Sequence, residues 1–238
     1  AFGLTSSLDS DMLTRVTSEF QTQGGVESNE TANYAYIFSF NSNDATRLMS
    51  RLMAEGYRVA MATEPFVING KQYDRGVVIL RVERNPESLH QRIRTLADAT
   101  GTPVQAVQGA WTQQGILLGS RQVVNLQQPK VLVLMDEPTR GRSYGAIWYT
   151  LEQRYGVPFT ALRTADFNGI DLHDYDVVIM PPGSESGYQR ILGTSGVEKL
   201  KEWISAGGTF IGIRDGAAFA TDDMVNLSSA RLLDESGE

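Results

Sequence analysis

At 238 residues and 41% hydrophobic content, the chain carries enough apolar mass for two cores of ordinary size. A formal net charge of −7 and a pI near 5.0, with no Lys/Arg cluster along a helix, exclude a nucleic-acid footprint. No run of about 18 apolar residues is present to cross a membrane as a helix, and with no cysteine the chain has neither a disulfide nor a thiolate to use.

Residues 1–32 are weakly patterned. Phe2, Leu4, Leu8, Met12, Leu13, Val16 and Phe20 give a loose amphipathic signal, and Gln21 to Thr31 is polar with Gly24-Gly25. The stretch reads as an irregular lead-in, with a strand added to a neighbour as one form of it, followed by a mobile connector. Because the chain opens on Ala1 and closes soon after a helix has begun, it is expected to be a piece of a longer protein.

Residues 33–126 read as a small α/β domain. The aromatic and β-branched run Tyr34 to Phe40 predicts a strand, and Asn43 or Asp44 is the expected cap of a helix carrying Leu48, Met49, Leu52 and Met53 on one face. Gly56 ends it, and Tyr57 to Met61 predicts a second strand. Asn69-Gly70 inside Phe66 to Tyr73 is a two-residue hairpin signal, and Val77 to Val82 is a further strand. Asn85-Pro86 opens a helix with Leu89, Ile93, Leu96 and Ala97 inward, which Gly101-Thr102-Pro103 stops before a strand over Val104 to Val107.

Gln127-Gln128-Pro129 reads as a linker, and residues 129–238 as the start of a second α/β domain cut short at its carboxyl end. Lys130 to Met135 is nearly all apolar, as a parallel strand covered on both faces must be. A loop over Asp136 to Gly145 follows. A helix with Ile147, Trp148, Leu151 and Tyr155 then ends at Gly156, and strands follow over Pro158 to Leu162 and Asp176 to Met180. A helix with Val197, Leu200, Trp203 and Ile204 inward delivers the chain to Gly207-Gly208. This alternation predicts a flavodoxin-like parallel sheet with flanking helices.

The functional weight falls on the next stretch. Thr209, Phe210, Ile211 and Ile213 predict a buried strand, and Gly216-Ala217-Ala218 lets a helix start close against it. Such a strand-to-helix turn can be an ordinary feature of a doubly wound sheet, or it can hold a reactive group at the carboxyl edge beside backbone N–H groups that stabilise an oxyanion. Loops after the strands converge at that edge, so Asp136, Glu137, Gly183 and Ser184 are expected to face Gly212, Arg214, Asp215 and Gly216. Glu137 and Arg214 are the expected charge pair. It serves either as a structural ion pair that fixes the turn or as a pocket in which Arg214 takes a carboxylate, for instance a peptide carboxyl-terminus, through a bidentate contact.

The turn resembles the elbow of the class I glutamine amidotransferase superfamily, Gly-x-Cys-x-Gly-x-Gln. Gly212 and Gly216 match, while Arg214 stands at the cysteine position and Ala218 at the glutamine position. The resemblance implies an amidotransferase-like fold with a degenerate site, because a guanidinium has no lone pair to attack a carbonyl.

A second resemblance rests on Asn85-Pro86, Gly119-Ser120-Arg121, Asp136-Glu137-Pro138-Thr139 and the run Leu151-Glu152-Gln153-Arg154-Tyr155-Gly156-Val157-Pro158. Together these look like the region carboxyl-terminal to the catalytic domain of large bacterial zinc carboxypeptidases, over about residues 33–225. It implies a non-catalytic accessory region, a preceding peptidase domain as partner, a zinc metallocarboxypeptidase as parent, and a periplasmic or extracellular location. That family binds zinc through His-x-x-Glu and a later His, whereas here His90 is followed by Gln91-Arg92-Ile93 and His173 by Asp174-Tyr175-Asp176. No catalytic residue, metal or cofactor is therefore expected in the chain. The alternative is a hydrolase or transferase of the amidotransferase superfamily that uses Ser184 or Asp215. It is disfavoured because Ser184 has no evident His partner and Asp215 adjoins an arginine that would weaken it as a base.

Overall fold

The computed structural model describes residues 24–28 and 30–232, and the amphipathic signal over Phe2 to Phe20 lies outside them. The protein is mixed α/β, with parallel and antiparallel sheets and flanking helices.

The amino-terminal strands are β1 (Gly25–Val26), β2 (Ala35–Ser39), β3 (Ala60–Ala62), β4 (Phe66–Ile68), β5 (Lys71–Tyr73), β6 (Val77–Arg81), β7 (Pro103–Val107), β8 (Gln114–Gly115) and β9 (Val123–Asn125). Six form one sheet in the order β1-β7-β2-β6-β3-β9, and β5-β4-β8 form a second. The central strands β2 and β6 pair antiparallel from Ala35↔Arg81 to Ser39↔Val77. Their side chains alternate between two cores, as period-2 geometry requires. Tyr36, Phe38, Val78 and Leu80 pack against helices α1 (Asn43–Ala54) and α2 (Leu89–Thr100), while Ala35, Ile37, Val77 and Ile79 pack against Phe66, Ile68 and Tyr73 of the small sheet.

Several local expectations shift by a few residues for identifiable reasons. Ser42, not Asn43 or Asp44, caps α1, its Oγ accepting from Ala45 N at 3.1 Å. Helix α2 begins at Leu89, after a turn that follows Pro86, and ends on Gly101 at φ 74°. The Asn69-Gly70 hairpin has both residues at positive φ, 52° and 73°, as a type I′ turn demands. Gly25–Val26, inside the stretch read as a mobile connector, is instead a strand paired parallel to Pro103-Val104. Two-residue strands such as β1 and β8 carry no periodicity to read.

The carboxyl-terminal strands are β10 (Val131–Met135), β11 (Phe159–Arg163), β12 (Val177–Met180) and β13 (Thr209–Gly212). They form a wholly parallel sheet in the order β11-β10-β12-β13. Numbered within this unit the order is 2-1-3-4, the flavodoxin-like winding, whose switch point lies between β10 and β12. Helices α4 (Glu185–Ser205) and α5 (Asp215–Thr221) fill one face, where Leu132, Leu134, Val178 and Met180 meet Tyr188, Leu192, Leu200, Trp203 and Phe219. The other face carries α3 (Gly141–Trp148), continued as a π-helical segment over Tyr149–Tyr155. Helix α4 is longer than the pattern around Val197 to Ile204 suggested, because its first half joins the second through a kink at Gly193, φ 58° and ψ −172°.

Candidate functional site at the carboxyl edge of the parallel sheet

The loops after β10, β12 and β13 come together at one end of the sheet. Asp136 leaves β10 at φ 63°, the Glu137–Pro138 peptide is cis, and Thr139 N donates to Asp136 O at 2.8 Å. This loop is then stitched to the one after β12. Arg140 N donates to Pro182 O at 2.9 Å and Ser184 N to Pro138 O at 3.2 Å. The loops approach so closely that a Cβ on Gly183 would lie 2.5 Å from Pro138 O, and one on Gly187 would lie 2.6 Å from Pro138 Cβ. Beneath them Tyr188 Oη donates to Pro181 O at 2.9 Å, which leaves Thr139 Oγ1, 2.7 Å away, to donate to the tyrosine. Burial pushes the Tyr188 phenol above its ordinary pKa, and the nearby Asp215 charge adds to that. The switch point is thus filled by Pro138 and held by five hydrogen bonds, counting the Tyr188 pair.

The turn after β13 is a strained elbow. Ile213 N donates to Met180 O at 3.0 Å, Arg214 takes φ 52° and ψ −109°, and the carbonyl of Arg214 accepts from Ala217 N at 2.8 Å and Ala218 N at 2.9 Å to start α5. A non-glycine residue held there costs about 1–3 kcal/mol of local strain. The glycines on either side are sterically required. A Cβ on Gly212 would sit 2.5 Å from Gly216 O, and one on Gly216 would sit 2.3 Å from Met180 O.

The charges at this edge do not pair as the sequence suggested. Asp136, Glu137 and Arg214 are all exposed, and no ion pair joins them among the described residues. The opposed charges that meet are Arg140 and Asp215, 3.9 Å apart, with side chains 60% and 32% exposed. That separation is too long for a hydrogen bond, and Asp215 Oδ2, shielded from solvent, has no hydrogen-bond partner among the described residues. The long Arg140 side chain reaches this carboxylate from the loop after β10, whereas Glu137, three residues earlier, faces solvent. Spacing in sequence could not show which loop residue looks inward.

Ser184 is exposed, and its Oγ is occupied as the cap of α4, accepting from Gly187 N at 3.2 Å. The histidines lie elsewhere. His90 Nδ1 is 3.0 Å from Tyr36 Oη, and His173 Nδ1 is 3.0 Å from Asp171 ahead of β12, at the opposite end of the sheet. Among the described residues no group of three or more His, Cys, Asp and Glu side chains is placed to hold a metal ion. The edge therefore has a strained turn bearing a cation, a second cation beside a half-buried carboxylate and, among the described residues, no serine paired with a histidine base.

The family model for the N-terminal region of biotin-protein ligase matches residues 171–230, the stretch from the turn before β12 through α4 and β13 to just beyond α5. No curated protein and no solved structure matches the chain. The match overturns both resemblances drawn from the sequence. It covers the elbow and points neither to class I glutamine amidotransferases nor to a zinc carboxypeptidase accessory region. A peptidase domain as partner, a metallocarboxypeptidase parent and secretion have no support from it. The physical reason is legible in the glycines: Gly212 and Gly216 are fixed by contacts of 2.5 Å and 2.3 Å with backbone oxygens, which any equally tight strand-turn-helix imposes whatever its descent.

Proposed function

We propose that residues 130–232 work as a binding module in a protein related to biotin-protein ligases, with the carboxyl edge of the parallel sheet as the contact face. Arg214 is the residue that receives a carboxylate such as that of biotin. The observation that carries this reading is the position of Arg214. It stands on the strained elbow inside the segment matched by the ligase family model, exposed and without an ion-pair partner among the described residues. A guanidinium in that place can hold an anion bidentately but cannot attack one, so the module binds and does not itself form the bond.

The test is an NMR titration of the whole chain with biotin, run beside an assay with biotin, ATP, magnesium and an acceptor protein. Amide shifts confined to residues 139–141 and 213–217, lost in Arg214→Ala, with no labelling of the acceptor, are the expected result. Labelling of the acceptor by the chain alone, or a titration that leaves those amides unmoved, would overturn it.

A further inference from the structure

A second site lies away from this edge, where the linker returns along the amino-terminal unit. A cleft of about 410 Å³ is bounded by Tyr57, Arg58, Arg84, Asn125, Leu126 and Gln128, with Met53 and Val59 on its apolar side. Its volume falls within the range of small-molecule sites. In a chain of net charge −7, its lining holds two arginines and no acid. Arg58 has no ion-pair partner among the described residues, and the one ion pair of Arg84 is to its exposed neighbour Glu83 at 3.8 Å. The nearby Glu55 is taken by Arg92.

The cleft is also preorganised. Asn85 accepts from Arg58 N through Oδ1 at 2.7 Å, and its Nδ2 donates to Arg58 O at 3.0 Å and Arg81 O at 2.9 Å, so one side chain locks the two arginine-bearing segments together. Leu126 N donates to Val59 O at 2.8 Å and fixes the opposite wall. On the linker, Gln128 Oε1 is buried with no hydrogen-bond partner among the described residues, an acceptor left unmet at a cost of about 1–3 kcal/mol. Two cations carried on a locked backbone and an apolar wall are the parts of a site for an anion with an organic body.

We infer that this cleft binds a small organic phosphate: Arg58 and Arg84 take the phosphoryl oxygens, and Tyr57 and Leu126 take the organic group. A phosphate dianion suits two guanidinium forks better than a monovalent carboxylate, which one fork satisfies. The inference is independent of the reading of Arg214.

The experiment is an NMR titration of the whole chain with phenyl phosphate, inorganic phosphate and benzoate. Saturable shifts at Arg58, Asn125, Leu126 and Gln128 are expected, tightest with phenyl phosphate and weaker by about tenfold or more in Arg58→Ala and in Arg84→Ala. Arg58→Lys should recover part of the loss, which separates charge from folding. Benzoate binding as well as phenyl phosphate would overturn the phosphate assignment. Shifts that do not saturate at millimolar ligand, or that persist in the Arg58→Ala, Arg84→Ala double variant with its spectrum otherwise intact, would overturn the site.

Discussion

The two sheets differ in how completely they are covered. In the amino-terminal unit the central strands β2 and β6 are buried on both faces, one under helices and one under the β5-β4-β8 sheet. In the carboxyl-terminal unit one face is filled by α4 and α5, while the other, among the described residues, has a smaller buried core of Val131, Val133 and Ile179 beneath α3 and the π-helical segment. The edge strand β13 leaves Ile211 41% exposed. Parallel sheets ordinarily hide both faces, so the second unit is the less finished of the two. Its strained residue Arg214 and the Arg140–Asp215 pair gather at the carboxyl edge, and the first unit contributes most of the wall of the linker cleft.

The sharpest way to break that comparison is Gly216→Ala. The new Cβ would meet the Met180 carbonyl at 2.3 Å, a backbone contact that cannot be relieved by a rotamer change, so a loss on the order of 4 kcal/mol is expected. Hydrogen exchange should then accelerate across β10, β12 and β13 while β2 and β6 stay protected. Equal acceleration in both sheets would show that the units fold as one. Leu80→Ala addresses the other unit. Leu80 is fully buried against α1 and α2, and its truncation should cost about 2–5 kcal/mol by denaturant unfolding, with protection lost first from β2 and β6.

Lys199 tests what holds the well-covered face of the second sheet. Its ammonium donates to the carbonyls of Phe167 and Asn168, both at 3.2 Å, and to that of Ile170, so all three N–H bonds are used on one turn that contributes Phe167 to the core. Lys199→Met leaves those carbonyls without their donor and should lower stability by about 1–3 kcal/mol, read as a shift in denaturant midpoint. No change would mean that water replaces the ammonium there at no cost.

Legibility in the sequence followed the length and periodicity of the signals. Val131 to Met135, the Asn69-Gly70 hairpin and the helix faces around Leu48 and Ile93 were readable because each repeats a pattern or demands a particular turn. The first half of α4 was hidden because Gly187 and Gly193 interrupt its apolar spacing, and the start of α3 because Gly141 and Gly145 look like loop, although its continuation through Ile147, Trp148, Leu151 and Tyr155 to Gly156 was readable. At the carboxyl edge, the elbow was readable from Gly212 and Gly216, but the pairing of Arg140 with Asp215 in place of Glu137 with Arg214 was not. Which side chain of a loop turns inward depends on the closeness of Pro138 to Gly183, a tertiary contact with no local trace. The cleft beside Gln128 was equally hidden, since Arg58, Arg84 and Asn125 are far apart in sequence and only the pairing of β3 with β6 and β9 brings them together.

The smallest expected effect sharpens the account of how the first unit's helices are joined. Glu55, at the end of α1, receives a bidentate contact from Arg92 of α2, with Nε at 2.7 Å from Oε2 and the second bond from Nη2 to Oε1. That hydrogen bonding, reinforced by the charges of Arg92 and Arg51 against a smaller cost of burial, lowers the Glu55 pKa from its ordinary value. In the folded chain Glu55 therefore gives up its proton at lower pH than in the unfolded chain, and between the two values the unfolded state binds more protons. The contribution is fully present above the ordinary glutamate range, near pH ~4.3, and is lost as pH falls through the lowered folded value. Because the two side chains are 39% and 35% exposed, solvent screening holds the contribution within about 1 kcal/mol. Arg92→Ala should accordingly reduce stability slightly at pH 7 and flatten the acid limb of the stability curve. An unchanged acid limb would show that Arg51 alone sets the Glu55 titration and that the α1–α2 contact rests on Leu48, Leu52, Leu89 and Ile93.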